Sequence, residues 1–167
     1  MIKAGVLGAG HLGKIHLRLL AASERYELVG FFDPDKKNAA ALASEKGYQY
    51  FNSPEALIDA CDMIDIVTPT VFHHQVAQQA LQAGKHIFIE KPIANSLSEA
   101  REITEMAKKH QVLGQVGHVE RFNPAFKAVA DSITHPKFIE SHRLAEFNPR
   151  GTDVPVVLDL MIHDLDI

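Results

Sequence analysis

The sequence predicts an α/β fold: an open, doubly wound parallel sheet followed by the start of a truncated α+β unit. Three observations carry that prediction. Short, nearly continuous apolar runs alternate with helical stretches over residues 1–120, and parallel neighbours in a sheet need a helix-length return between them. A G-x-G-x-x-G spacing stands directly after the first apolar run. After Gly117 the rhythm changes to a helix and then a long alternating segment.

Ile2 to Leu7 is the first strand, its apolar character suited to burial on both faces. A helix from His11 to Ala22 follows, then a second strand from Tyr26 to Phe32 and a helix from Asp35 to Lys46. Tyr48 to Phe51 reads as a short third strand. Ser53 as N-cap with Pro54 at the first helical position starts a short helix to Ala60. Met63 to Val67 is the fourth strand, and Phe72 to Ala83 a helix that Gly84 ends. His86 to Ile89 is the fifth strand. Ser96-Leu97-Ser98-Glu99 has capping-box spacing ahead of a helix to His110, and Val112 to Val116 makes a sixth strand. Beyond it, Asn123-Pro124 starts a helix of about ten residues. Lys137 to Phe147 alternates like one strand of a separate, antiparallel sheet. Asn148 to Asp153 reads as a loop, and Pro155 onward as a helix. Residues 1–120 thus form one domain, and 121–167 are too few for a second complete one. The chain stops at Asp164-Leu165-Asp166-Ile167 within a helical pattern that has no cap or breaker, which reads as a fragment.

Composition excludes several functional classes. At 46% hydrophobic and 23% charged, the chain has the balance of a globular protein rather than a disordered or collagen-like one. Seventeen basic against 21 acidic residues give a net charge of −4, so no global positive field attracts nucleic acid or anionic lipid. No apolar run approaches the roughly 20 residues that cross a bilayer. The N-terminus lacks the pattern of a signal peptide, and a single cysteine, Cys61, fits a reducing cytoplasm.

Gly8-Ala9-Gly10-His11-Leu12-Gly13 carries the glycine spacing at the strand-to-helix turn. Gly8 permits a tight turn, Gly10 lets a pyrophosphate approach the backbone, and Gly13 lets helix and strand pack closely. His11 and Leu12 contribute backbone amides, and the free N–H groups at a helix start favour a diphosphate. Asp33 ends the second strand 20 residues after Gly13, where a carboxylate can accept hydrogen bonds from an adenine-ribose hydroxyl. Taken together these features predict dinucleotide binding on a Rossmann-type sheet; taken singly, the glycines also suit an ordinary corner and Asp33 a turn. Asp33 would repel a 2′-phosphate, which favours NAD over NADP, although Lys36 and Lys37 follow closely.

Two further runs identify a resemblance. Gly84-Lys85-His86-Ile87-Phe88-Ile89-Glu90-Lys91-Pro92, preceded by Thr68-Pro69-Thr70-Val71-Phe72-His73, resembles the Gfo/Idh/MocA oxidoreductases, the glucose-fructose oxidoreductase and inositol dehydrogenase group. Asp159-Leu160-Met161-Ile162-His163-Asp164 matches that family's D-x-x-x-H element. The resemblance implies an N-terminal dinucleotide-binding domain and a larger α/β substrate domain on an open-faced antiparallel sheet, of which only the opening is present. It also implies a full-length protein that is a homo-oligomer, a cis Lys91-Pro92 bond, and positions near the cofactor for Thr68 and His73.

The chemistry of these residues agrees with such a role. Lys91 stands at the carboxyl end of a strand, the edge where ligands of doubly wound folds bind. Its ammonium can stabilise charge on a substrate oxygen, and Glu90 can orient it or contact the nicotinamide side. In isolation the same residues also read as a solvated lysine and a turn proline. Asp159 and His163 stand four apart on one predicted helix face. An imidazole held by a carboxylate suits a general base that takes a hydroxyl proton while hydride leaves for the nicotinamide. The resemblance gives His163 that role and Asp159 a place against substrate or imidazole; a metal site or a surface pair are the alternatives, though no third metal ligand is evident. His74 reads as a surface residue of its helix.

Gly117-His118-Val119-Glu120-Arg121-Phe122-Asn123-Pro124 follows the sixth strand and so also faces the ligand edge. Arg121 can clamp a phosphate or carboxylate, and Glu120 can accept sugar hydroxyls; Asn123 and Pro124 are explained by helix capping alone. This run resembles the part of the family that oxidises the 3-hydroxyl of UDP-N-acetylglucosamine-type nucleotide sugars, and a free sugar or polyol is the other candidate. The expected function is an NAD-dependent dehydrogenase of a secondary alcohol. A non-catalytic dinucleotide sensor is the rival, and an acid–base pair would be superfluous in one.

Overall fold

The computed structural model describes residues 1–142, 144 and 154–167. It divides into two compact units, Met1–Val116 and Gly117–Ile167.

In the first unit, strand β1 (Ile2–Leu7) is an apolar run whose last four residues are buried. Its neighbours are β2 (Tyr26–Phe32) and β3 (Met63–Ile66), both parallel to it, and β4 (His86–Glu90) lies parallel to β3. With β5 (Gly114–Gly117) the sheet order is β2-β1-β3-β4-β5. From β1 the chain first moves outward to β2 and then returns to the other side of β1 as β3. The carboxyl ends of β1 and β3 therefore flank the point where winding reverses, which is where such sheets hold ligands.

The expected third strand, Tyr48 to Phe51, is reduced to one parallel bridge between Phe31 and Tyr50. Its backbone exchange is confined to Phe31, which donates to Gln49 O and accepts from Phe51 N–H, both at 2.9 Å. A segment this short, at a sheet edge with partners on one side only, makes too few ladder bonds to count as a strand. Its place outside β2 nevertheless completes the doubly wound order.

Helices α1 (His11–Ala21), α2 (Lys36–Lys46), α3 (Pro54–Ala60), α4 (His73–Gln82) and α5 (Leu97–Lys109) form the crossovers. Their starts follow local chemistry. Asp35 caps α2 through Asn38 N–H, Ser53 caps α3 through Ala56 N–H, and Ser96 with Glu99 closes a full capping box on α5. A 3₁₀ turn, Thr70–Phe72, leads into α4. Side chains alternate across the sheet. Leu7, Ile64, Ile66, Ile87 and Ile89 join one apolar cluster with Leu57, Leu81 and Ile103, while Val6 and Phe31 join a second with Leu17, Ala39 and Leu42.

The second unit contains a 3₁₀ turn (Val119–Phe122), α6 (Pro124–Val129), a second 3₁₀ turn (Ala130–Ser132), a π-helical turn (Val157–Met161) and α7 (Ile162–Asp166). Asn123 caps α6 and Pro124 is its first residue, so this helix starts as expected but ends after six residues. The strand expected from Lys137 to Phe147 is a correction. Residues 137–142 and 144 have no regular structure, and 143 and 145–147 lie outside the described residues. An alternating pattern becomes a strand only when another strand receives its N–H and C=O groups; among the described residues of this segment none does. The expected loop from Asn148 to Asp153 lies outside the described residues. No described helix is long and apolar enough to cross a membrane.

Candidate active site

The first unit gathers its candidate residues at the carboxyl ends of β1, β3 and β4. At the end of β1, Gly8 has φ +98°, and a Cβ there would stand 2.7 Å from the Val67 carbonyl oxygen. Only glycine combines that backbone with so close an approach of the β1 and β3 ends. A Cβ on Gly13 would overlap the Gly8 carbonyl oxygen, so α1 packs against its own entry loop with no space left. Gly10 differs, since a Cβ there would meet no heavy atom within 4 Å. It is the N-cap of α1 and makes no side-chain cap, so the amides of His11, Leu12 and Gly13 open the helix uncapped by any side chain.

Asp33 follows β2 and ties these parts together. One carboxylate oxygen accepts Ala9 N–H at 2.7 Å and the other accepts Asp35 N–H at 2.9 Å. The turn role and the ligand role are compatible, because each carboxylate oxygen retains acceptor capacity after one bond. Thr68, just beyond β3, has a buried hydroxyl with no hydrogen-bond partner among the described residues. An open cradle at Gly10, uncapped helix amides, a carboxylate at the end of β2 and an orphaned hydroxyl beyond β3 form a donor and acceptor set that fits a dinucleotide.

His73 begins α4 and is buried. Its Nδ1 lies 2.9 Å from the Pro92 carbonyl and its Nε2 2.8 Å from the Thr68 carbonyl. A neutral imidazole donates through one nitrogen only, so the ring bonds one of these carbonyls and packs against the other, between the loop after β3 and the turn after β4. His74 lies 2.9 Å from Glu102 and links α4 to α5. The Lys91-Pro92 bond is cis, and Lys91 N–H donates to Glu90 Oε2 at 3.1 Å.

Sequence reasoning missed the ionic centre of this region. His16 on α1 places Nδ1 2.8 Å from Asp65 Oδ2 on β3 and Nε2 3.3 Å from Glu90 Oε1 on β4. Asp65 and Glu90 are both buried. Strand parity explains the grouping: Asp65 alternates with Ile64 and Ile66, and Phe88 and Glu90 alternate with Ile87 and Ile89, so all three turn to the α1 face. A signal was present, for Asp65 is a charge inside an otherwise apolar buried strand, and such charges are rarely buried unless paired.

Burial by itself would lower the His16 pKa, but hydrogen bonds and charge from Asp65 and Glu90 outweigh it and raise it to about 9. A raised folded-state pKa stabilises the protein fully below the unfolded value of about 6.5, and that contribution is lost as pH rises through about 9. The window is worth on the order of 2 kcal/mol once solvent screening is allowed for. Urea midpoints across this range should fall in the wild type and stay comparatively flat in His16→Asn; parallel curves would show that His16 does not titrate there.

The second unit places the other candidates. Arg121 donates through Nε and Nη2 to Asp166, which also lies 3.5 Å from His118 Nδ1. Those bonds hold the Asp166 carboxyl below the usual range. Glu120 accepts from Asn123 Nδ2 at 3.0 Å. Asp159 lies in the π turn and His163 near the start of α7. Residues four apart stay on one side of either helix type, so the π turn preserves their common face.

A family model described as "Oxidoreductase family, NAD-binding Rossmann fold" matches residues 2–118. UDP-N-acetylglucosamine 3-dehydrogenase of Acidithiobacillus ferrooxidans is 40% identical over 167 residues, covering 99% of this chain and 53% of that protein. Its solved structure superposes with a TM-score of 0.91 over 99% of this chain and 55% of its own. The scyllo-inositol 2-dehydrogenase (NAD(+)) of Bacillus subtilis is 33% identical over 179 residues, covering 99% and 52%. The chain spans about half the length of the curated relatives it matches. With a dinucleotide cradle on a doubly wound sheet and this match across most of its length, the chain belongs to the Gfo/Idh/MocA oxidoreductase family, whose fold is an NAD-binding Rossmann fold.

Proposed function

We propose that the intact protein is an NAD-dependent dehydrogenase acting on a secondary hydroxyl of a nucleotide sugar, sugar or polyol. The observation that carries this reading is Lys91 at the carboxyl end of β4, on the same sheet edge as the glycine loop that ends β1. The nicotinamide, when bound, supplies the hydride acceptor. The Gly8–Gly13 loop holds the diphosphate on its amides, and Asp33 accepts the adenine-ribose hydroxyls. That carboxylate disfavours a 2′-phosphate, so NAD is preferred over NADP. Thr68 offers its hydroxyl to the cofactor, while His73 keeps the two flanking loops together.

Lys91 donates to the substrate oxygen and stabilises negative charge developing there. His163 takes the hydroxyl proton, and Asp159 orients the imidazole or holds a neighbouring sugar hydroxyl. Glu120 accepts sugar hydroxyls. Arg121 gives Asp166 two of its three guanidinium nitrogens and keeps further N–H donors for a phosphate. A diphosphate-bearing sugar is the favoured substrate, in keeping with the nucleotide-sugar dehydrogenase among the relatives. A reducing cytosol is part of the same proposal, in keeping with a single free cysteine, Cys61.

The test is spectrophotometric reduction of NAD and of NADP by the intact protein with UDP-N-acetylglucosamine, free hexoses and inositols. NAD reduction is expected, with kcat/KM at least about tenfold above that for NADP, since one close charge repulsion costs more than about 1.4 kcal/mol. Failure of every alcohol to reduce either nucleotide would remove the dehydrogenase reading.

A further inference from the structure

Four groups stand in series across the first unit: Asp65 Oδ2, the two nitrogens of His16, the two oxygens of Glu90, and the backbone N–H of Lys91. We propose that His16 is a positioning residue for Lys91: it locks the Glu90 carboxylate between α1 and the sheet, and Glu90 in turn holds the backbone from which the reactive ammonium projects. This rests on the reading above that Lys91 meets the substrate oxygen.

The geometry leaves Glu90 little freedom. One oxygen faces His16 Nε2 at 3.3 Å and the other accepts Lys91 N–H at 3.1 Å, so rotation of the carboxylate breaks at least one bond. The Glu90 side chain is only 8% exposed, and without a cation beside it a buried carboxylate moves toward water or takes up a proton. His16 is itself fixed by Asp65 at 2.8 Å and by the Phe88 ring, whose centroid lies 5.9 Å away. Among the described residues, Asp65 and Glu90 are the charged groups that face the imidazole. Asp65 Oδ1 has no hydrogen-bond partner among those residues, so this carboxylate depends on His16 for its pairing.

The placement of His16 along α1 gives the device a direction. It stands three residues beyond Gly13, on the helix whose first amides open toward the dinucleotide site. One rigid helix thus presents the diphosphate donors at its start and, a turn later, anchors the residue that precedes Lys91. Loss of His16 should therefore disturb the placement of Lys91 against substrate more than the affinity for nucleotide. A displacement of about 1 Å at a reacting group can cost on the order of 100-fold in rate.

Three substitutions in the intact protein separate this from a stability role. His16→Asn keeps an N–H at the Nδ1 position but cannot reach Glu90; His16→Gln places its N–H at the Nε2 position and can. Glu90→Gln keeps the shape, but its amide cannot accept from both His16 and Lys91. The expected results are a kcat about 10- to 100-fold lower in His16→Asn and Glu90→Gln, NADH affinity within about threefold of wild type, and partial recovery of kcat in His16→Gln. Amide hydrogen exchange at Lys91 should be at least about tenfold faster in the two low-activity variants. Wild-type kcat in His16→Asn would overturn the proposal, whatever its melting temperature; so would a fall in kcat with unchanged Lys91 exchange, because His16 would then act by another route. If the wild type oxidises no alcohol, the dehydrogenase reading fails by itself, and the exchange measurement still decides whether His16 holds Lys91.

Discussion

Replacing Lys91 by methionine in the intact protein is expected to lower kcat by about 10²- to 10³-fold, with nucleotide affinity changed by less than about threefold. Methionine keeps an unbranched chain of similar reach, with sulfur in place of one methylene, and lacks the ammonium. The backbone of residue 91 still donates to Glu90 Oε2 after the change, so the turn after β4 keeps that tie. The proposed dinucleotide cradle uses other residues: the loop at the end of β1, the carboxylate of Asp33 and the hydroxyl of Thr68. The effect should thus fall on the step in which the substrate oxygen acquires charge. Steady-state kinetics and an NADH fluorescence titration separate the two quantities. Undiminished turnover would remove Lys91 from the mechanism, and a parallel loss of nucleotide binding would make it a cofactor ligand instead.

The second large effect comes from a single methyl group at Gly13. In Gly13→Ala the new Cβ overlaps the Gly8 carbonyl oxygen, a backbone atom that no rotamer change can move. Helix α1 must shift away from β1, at a cost of about 1–3 kcal/mol in stability. The shift also carries away the amides proposed to hold the diphosphate, and losing one charge-assisted bond weakens binding by about 10- to 100-fold. Gly10→Ala supplies the contrast. Its Cβ meets no heavy atom of the protein within 4 Å and its φ of −65° suits any residue, so the melting temperature should hold while nucleotide affinity falls. Equal melting temperatures and equal affinities in the two variants would show that the loop does not work by close approach.

Much of this fold was legible because its elements carry local signals. The bounds of β1, β2 and α3 follow from nearly continuous apolar runs, from the turn residues that flank them, and from Ser53-Pro54. The capping box at Ser96 and the cap at Asn123 likewise need only neighbours three residues away or fewer. The segments that failed depended on distant partners. Tyr48 to Phe51 has a strand-like composition but finds only Phe31 beside it. Lys137 to His142 alternates correctly and has no strand to pair with among the described residues. No local pattern pairs Arg121 with Asp166 either, since the carboxylate that takes two of its guanidinium nitrogens lies 45 positions along the chain.

By itself the sequence determined that this protein is a doubly wound α/β domain with a glycine loop suited to a diphosphate, and it singled out Lys91, Asp159 and His163 by motif. Those features depend on spacing along a strand or a helix, which the backbone converts directly into direction. Only the tertiary structure decided that His16, Asp65 and Glu90 form one buried ionic centre, and that His73 packs between two loops. The physical reason is desolvation. A histidine among scattered histidines has no special chemistry until packing strips it of water and sets two carboxylates against it, and which carboxylates those are depends on sheet order and strand parity rather than on any local pattern.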